Sequence, residues 1–410
     1  MRGQNKNALF SGLFFFMVLF SLFVMRPFRS AVAAQIGTAD LTFFLFLVVL
    51  VMLFANFIYS AVLSRIKESR LVLYIYGFFI LNLVVFAYLN FYYESNYALG
   101  ATFYVWYNIF NFFVVSIFRA KIVNCFDRAE GNKFFGIISA FGSAGAFIGS
   151  RTVSAYLTDA PVMAITISLA ALMLAIFFSS KLKPTNITKI EKKDISIDLV
   201  DQINQVKNNT LVQKLLTYAF IWTCCSTALY FFSLEIINKY TNDIVKQRAI
   251  FADADSLVTP ITFFSQILIT RFLLESRFFG LRFVLGIYGV FFIIAYLMMA
   301  GHFADFLFTG TGVLLFLIIS ALMRPFEYAI NKPARETVYT TLKKSEKYRS
   351  TVFIDTFINR FGDASGGLLF NILLTLGLAL AVAPLAILPL ALILSGFGVN
   401  ISKSVKDVKS

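Results

Sequence analysis

Charge is what this chain has least of. Asp, Glu, Lys and Arg make up 14% of its 410 residues, against about a quarter in soluble proteins. A water-facing surface over the whole chain is therefore excluded. Histidine occurs once, at His302, which rules out a multi-histidine metal centre and any Ser-His-Asp triad that omits it. The three cysteines, Cys125, Cys224 and Cys225, form neither a zinc-type spacing nor an even disulfide set. They read as inert or buried thiols. No metal-ligand cluster and no nucleophile–base pair stands out, so neither an enzyme nor a cofactor or metal site is expected.

What the chain has is apolar length. Hydrophobic residues are 59% of it, with 50 Phe. One bilayer crossing takes about 20 apolar residues. Windows of that kind fall near 8–25, 41–63, 71–93, 98–118, 134–157 and 161–180, and again near 215–235, 256–274, 281–301, 305–323, 351–375 and 378–398. The spacing predicts an all-α integral membrane protein with twelve helices. Residues 1–180 form one six-helix bundle, 181–214 a cytoplasmic linker, and 215–410 a second six-helix bundle. The linker mixes Glu191, Lys192, Lys193 and Asp194 with Asn and Gln, the composition of a solvated tether.

The net charge of +14 comes from loops. With the N-terminus in the cytoplasm, most of the 36 Lys and Arg fall on the inner side, and only Arg26, Arg29, Lys239, Lys246 and Arg248 fall outside. Basic residues mark cytoplasmic loops, so the charge signals topology rather than nucleic-acid binding. Both termini are expected in the cytoplasm of a bacterial inner (plasma) membrane. The first apolar run also resembles a signal peptide. Arg26 and Arg29, between that run and Ala31-Val32-Ala33-Ala34, argue against cleavage.

Charge within a span is costly and functional by default. The richest block runs from Met323 through Arg324, Glu327 and Arg335, then Glu346 to Arg349, then Asp355, Arg360 and Asp363. Arg360 and Asp363, three apart, share a helix face. Glu327, Arg335, Asp355 and Arg360 are expected either to form a gate-closing salt-bridge network or to touch substrate or protons. Arg26 and Arg29 flank Pro27 at the outer end of the first helix. They suit a carboxylate or phosphate, which guanidinium grips with two hydrogen bonds; snorkelling toward headgroups is the competing reading. Gly136, Gly142, Gly145 and Gly149 have the small-residue spacing of a close helix contact. Arg151, at the end of that helix, is expected to pair with Asp159 or an anionic ligand. His302 reads as a solvated loop residue without a role.

Two six-helix halves joined by a polar loop are the pattern of the major facilitator transporters. In that fold two bundles rock about a midplane site, usually lined by helices 1, 4, 7 and 10. Met25-Arg26-Pro27-Phe28 recurs as Met323-Arg324-Pro325-Phe326, at helix ends on opposite faces, as inverted repeats require.

Within that fold, three stretches resemble the nucleotide transporter family of the ATP/ADP translocase type, in a divergent bacterial branch. They are Tyr107 to Ser116 with Phe134-Phe135-Gly136 and Gly142 to Ala146, then Arg248 to Asp255 with Gln266, then Arg324 to Gly367. Arg26-Pro27-Phe28-Arg29 is also similar to that branch's first helix. The resemblance implies two phosphate-contacting lysines, in helices 2 and 11. Here those positions hold Leu41 and Asp363. Losing two cations and gaining an acid disfavours a di- or triphosphate.

The expected function is alternating-access transport of a small anionic solute, a class that includes nucleotides and phosphate esters. Arg26, Arg29 and Arg360 are the expected substrate-binding residues. Asp363, Asp355, Glu327, Arg324 and Arg335 are expected to couple or gate. The alternatives are ATP/ADP exchange through a rearranged site, and a non-transporting membrane sensor or lipid-handling protein on a transporter scaffold. Besides the solute, membrane lipids are the expected partners of a monomer or weak oligomer.

Overall fold

The computed structural model describes residues 2–65, 68–92, 96–123, 125–126, 128–183, 209–269, 272–273, 280–339, 341–342, 350–351 and 353–409. Most of the expected linker, and the stretch from Glu346 to Arg349, lie outside the described residues. Among the described residues the regular structure is all helical. Twelve helices follow in order: α1 (Arg2–Ile36), α2 (Thr38–Arg65), α3 (Glu68–Tyr92), α4 (Tyr97–Val123), α5 (Arg128–Thr152), α6 (Pro161–Ser180), α7 (Thr210–Tyr240), α8 (Ile244–Leu268), α9 (Gly280–Phe303), α10 (Gly312–Tyr339), α11 and α12 (Leu388–Lys409). A π-helical turn, Ile354–Ile358, opens α11 and runs into Asn359–Thr375. Ten of them are long and apolar enough to cross a bilayer. α8 and α11 are the two outside that set; α8 carries Arg248, Asp253 and Asp255, and α11 carries Asp355, Arg360 and Asp363. The chain is a multi-pass membrane protein.

Several helix boundaries depart from the hydropathy windows: α12 runs Leu388–Lys409 rather than 378–398, after a short helix Ala383–Ala386, and α10 ends at Tyr339 rather than 323. α1 does not stop at residue 25 but continues through Pro27 to Ile36. α8 starts at Ile244 rather than 256. Hydropathy reads Lys246 to Asp255 as loop, yet Gln247 and Asp255 are buried and held by polar partners, so the charges cost less than their transfer values imply. α10 begins at Gly312, later than 305, because the preceding turn holds Asp305, Phe308 and Gly310 at positive φ. It then passes Pro325 through a π turn, Phe326–Asn331, which supplies a break where proline removes a backbone donor.

The chain forms two compact units. The first comprises Met1–Ile36, Ala55–Ile195 and Asp243–Pro260. Here α1 packs on α5, α6 and α4, and α3 packs on α6 and α4. Of the four glycines of α5, Gly142, Gly145 and Gly149 lie against α1 as their spacing predicts, while Gly136 has nothing within 4 Å of an added Cβ. A Cβ added at Gly145 would run into the Phe16 backbone carbonyl of α1. Phe14, Tyr76 and Phe110 are fully buried, and Phe15 stacks on Phe118 with centroids 4.2 Å apart. Tyr107 Oη donates to the Leu22 carbonyl at 2.8 Å, so a buried phenol is satisfied by backbone.

The second unit comprises Gly37–Phe54, Ser196–Asn242 and Ile261–Ser410. In it α7 packs on α11 and α12, and α9 packs on α12. A Cβ at Gly366 would meet the Cys224 carbonyl. All three cysteines are free and buried. His302 departs from expectation: it is buried, with Nδ1 3.2 Å from the Phe308 carbonyl. A Nδ1–H donated there ties α9 to its following turn, which hydropathy alone does not reveal.

Candidate functional site

In the first unit, polar chemistry gathers along the last three turns of α1. Arg26 and Arg29 sit three apart in unbroken helix, which puts them on one face. Arg26 Nε lies 3.6 Å from Asp255 Oδ2 of α8, whose side chain is 4% exposed. Its guanidinium also covers the Phe23 ring at 5.1 Å. Arg29 Nη2 donates to Tyr104 Oη at 3.0 Å and to Asn108 Oδ1 at 3.4 Å, both on α4. Arg248 of α8 lies 4.8 Å over the Phe28 ring and donates through Nη1 to the Thr158 carbonyl at 3.0 Å. Nearly two turns further along α1, Gln35 Nε2 donates to Gln247 Oε1 at 2.9 Å. Guanidinium groups, a phenol and amides thus share one wall.

Arg151 has a different partner from the one expected. Its Nη1 lies 3.8 Å from Asp253 Oδ1, and the Ser154 hydroxyl donates to the same carboxylate. Asp159 is exposed instead. The α5 end continues as a π turn, Val153–Leu157, which brings Ser154 round to α8. Asp253 and Asp255 are functional candidates that the sequence reading did not single out. Their signal was two acids within a polar stretch that also holds Arg248.

In the second unit the α10–α11 block does not form one network. Glu327 and Arg335 make a buried ion pair, with both side chains under a tenth exposed. Glu327 Oε2 also accepts from Asn331 Nδ2 at 2.6 Å, and Asn331 Oδ1 accepts from Tyr218 Oη at 2.9 Å. Arg335 lies 4.8 Å over the Trp222 ring. Asp355 joins neither ion pair of this unit. It is exposed and accepts from Asn359 Nδ2 at 3.4 Å. Arg360 pairs with Asp363 at 3.2 Å, one turn along α11, with each side chain about a quarter exposed. Thr227 of α7 donates to Asp363 Oδ1 at 2.9 Å. The four residues expected to form one network thus do not: Glu327 pairs with Arg335, Arg360 pairs with Asp363 instead, and Asp355 is in neither pair, because α10 places Arg335 against α7 while Arg360 turns along its own helix. Arg324 is half-buried where α10 meets Pro325.

Two further polar positions went unread in the sequence. Glu235 of α7 accepts from the Thr38 hydroxyl at 3.4 Å, and Asn371 of α11 donates to Thr42 Oγ1 at 2.8 Å. Leu41, at the position of the first expected lysine, is fully buried.

The fold is of the major-facilitator type, as its similarity to solved structures shows. A crystal structure of the nucleoside transporter NupG superposes over 100% of both chains, with a TM-score of 0.59 at 14% identity. A bacterial homolog of the human lysosomal transporter Spinster covers 99% of this chain and 98% of its own, at 0.60 and 10% identity. The human organic anion transporter MFSD10 (TETRAN) covers 98% and 99%, at 0.60 and 12% identity. Identities this low speak for the fold alone. No family model matches the sequence, and no curated protein matches it either.

Proposed function

We propose that this protein is a secondary transporter that moves a small anionic solute across a bacterial inner membrane by alternating access. The observation that carries the reading is the α1 wall. Arg26, Arg29 and Arg248 bring three guanidinium groups to one region, where Asp255 is the buried acid. Tyr104 and Asn108 hold Arg29 in place by hydrogen bonds, and a guanidinium held this way loses less freedom when an anion arrives. Arg360 is a second contact for the solute.

Asp363 is the coupling carboxylate in this reading. Its pair with Arg360 is partly open, so a proton can reach it, whereas the Glu327–Arg335 pair is sealed and serves to brace α10. Arg324, beside Pro325 of α10, and Asp355, in the π turn of α11, are assigned to gating in this reading.

Purified protein in proteoliposomes tests this. A thermal-shift screen of small carboxylates, phosphate esters and nucleotides is followed by uptake of the stabilising compounds under an imposed pH gradient. Asp363→Asn is expected to keep binding and lose gradient-driven uptake; undiminished uptake ends its coupling role. If no anion binds or moves in any gradient, transport of an anion is wrong. ADP-loaded vesicles offered labelled ATP are expected to show no exchange, since Leu41 and Asp363 stand where cations would be needed.

A further inference from the structure

Between α11 and α12 the chain lacks what a connection in water carries. No charged residue occurs from Ala364 to Ser402, a run that covers the end of α11, the whole connection and most of the apolar span Ala383–Ser404. Residues 376–387, which join Thr375 to Leu388, consist of Leu, Ala, Val, Ile, Gly and Pro alone. Yet Leu376 is 74% exposed, and Val382 and Leu385 are exposed as well. Other described connections are built differently. Those between α3 and α4, α5 and α6, α7 and α8, and α9 and α10 hold Asn96, Asp159, Asp243 and Asp305 in turn. Asn96 and Asp243 accept the backbone N–H groups of Leu99 and Val245, the usual work of short polar side chains in turns.

In the α11–α12 connection the backbone does that work itself. Gly377 takes a positive φ of 83° as α11 closes. The Gly377 N–H donates to the Leu374 carbonyl and the Leu378 N–H to the Leu373 carbonyl, the paired cap that takes up the last carbonyls of a helix. Further on, Val382 and Ala383 donate to Ala379, Leu385 donates to Val382, and Ile387 donates to Pro384. Backbone leaves water cheaply only where its polar groups are satisfied within the chain, and these turns supply such bonds along the connection.

Continuity identifies what covers the exposed side chains. Leu392 and Ile393 of α12 are exposed too, and they belong to a helix long and apolar enough to cross a bilayer, so the medium they meet is lipid. No polar side chain separates them from Leu376. We propose that the α11–α12 connection is seated at the boundary between headgroups and acyl chains, with Leu376, Val382 and Leu385 against the acyl chains. The depth of α11 follows from this. Asp363 lies roughly 18 Å along the helix from Thr375 at 1.5 Å per residue, against a hydrocarbon half-thickness of about 15 Å. A connection held at the boundary therefore sets the Arg360–Asp363 pair near the middle of the bilayer, the level at which secondary transporters bind solutes and coupling ions.

Single added cysteines test the seat, because the three native thiols are buried and the unaltered chain serves as the blank. Leu376→Cys, Val382→Cys and, as the water-facing control, Asp159→Cys are labelled with a bimane fluorophore. They are reconstituted in phosphatidylcholine vesicles, plain or brominated on the acyl chains. Brominated lipid is expected to quench the labels at 376 and 382 several-fold more than the label at 159, and iodide on both sides of the membrane to rank them the other way. If iodide quenches 376 and 382 as it does 159, the connection stands in water and the proposal fails. If neither quencher reaches 376 and 382, a second copy of the chain covers this surface, which overturns the proposal equally. Should the labelled variants not fold, hydroxyl-radical footprinting of the unaltered chain in the same vesicles decides. Leu376 is then expected to be oxidised several-fold more slowly than in the chemically unfolded chain, and an equal rate overturns the proposal.

Discussion

Glu327 and Asp363 are both acids paired with arginine, and burial separates their roles. Removing one partner of a buried pair leaves an uncompensated charge, at a cost of about 3–5 kcal/mol. Glu327→Gln is therefore expected to lower the thermal transition sharply, and adding Arg335→Met to restore most of it, as followed by scanning fluorimetry in detergent. Asp363→Asn, at a partly open pair, is expected to shift stability by less than about 1 kcal/mol. Equal losses from the two single variants would contradict this division. On α1, Arg29→Ala removes a charge-assisted contact worth about 1.5–3 kcal/mol, so the solute found by screening is expected to bind roughly 10- to 100-fold more weakly. Arg29→Lys should recover only part of that, because a lysine cannot present the planar fork that Tyr104 and Asn108 orient. Isothermal titration of the three proteins gives the comparison.

Among the elements, the α1–α5 contact depends most on small side chains. Gly145 leaves no room for a Cβ beside the Phe16 carbonyl, so Gly145→Val must part the two helices. Overpacking of this kind costs about 1–3 kcal/mol. The variant is expected to fold less stably and to bind solute more weakly, because moving α1 displaces Arg26 and Arg29 together. Gly136, on the same helix but with nothing within 4 Å of an added Cβ, is the control: Gly136→Ala should be neutral or slightly stabilising. The π turns at Val153, Phe326 and Ile354 follow the same logic at the level of backbone. Each lies beside a charged or hydroxyl side chain that reaches another helix or the next turn, and each inserts the extra residue that changes the direction of those side chains.

For the whole molecule, basic-residue bias predicts the orientation. In protein lacking its three native cysteines, a cysteine at Asp159 should react with an impermeant maleimide added to spheroplasts, and one at Lys183 only after lysis. The reverse pattern would invert the topology. Each of the twelve helices overlaps an apolar window of the sequence, since a bilayer leaves a backbone no option but to pair within its own helix. The start of α8 was not legible in this way. Hydropathy scores Arg248, Asp253 and Asp255 as if they faced lipid or water, whereas in the fold Asp255 meets Arg26 of α1, Asp253 meets Arg151 of α5, and Arg248 lies over Phe28 of α1.

The amino-acid sequence by itself thus determined the class of solvent, the approximate place of the helices, and which charges were too costly to be idle, because each of these follows from local transfer energies. Only the tertiary structure decided the partners. It gave Arg26 to Asp255 and Arg151 to Asp253, and it parted Glu327–Arg335 from Arg360–Asp363. Pairing depends on which helix faces are brought together, and no window along a single helix contains that information.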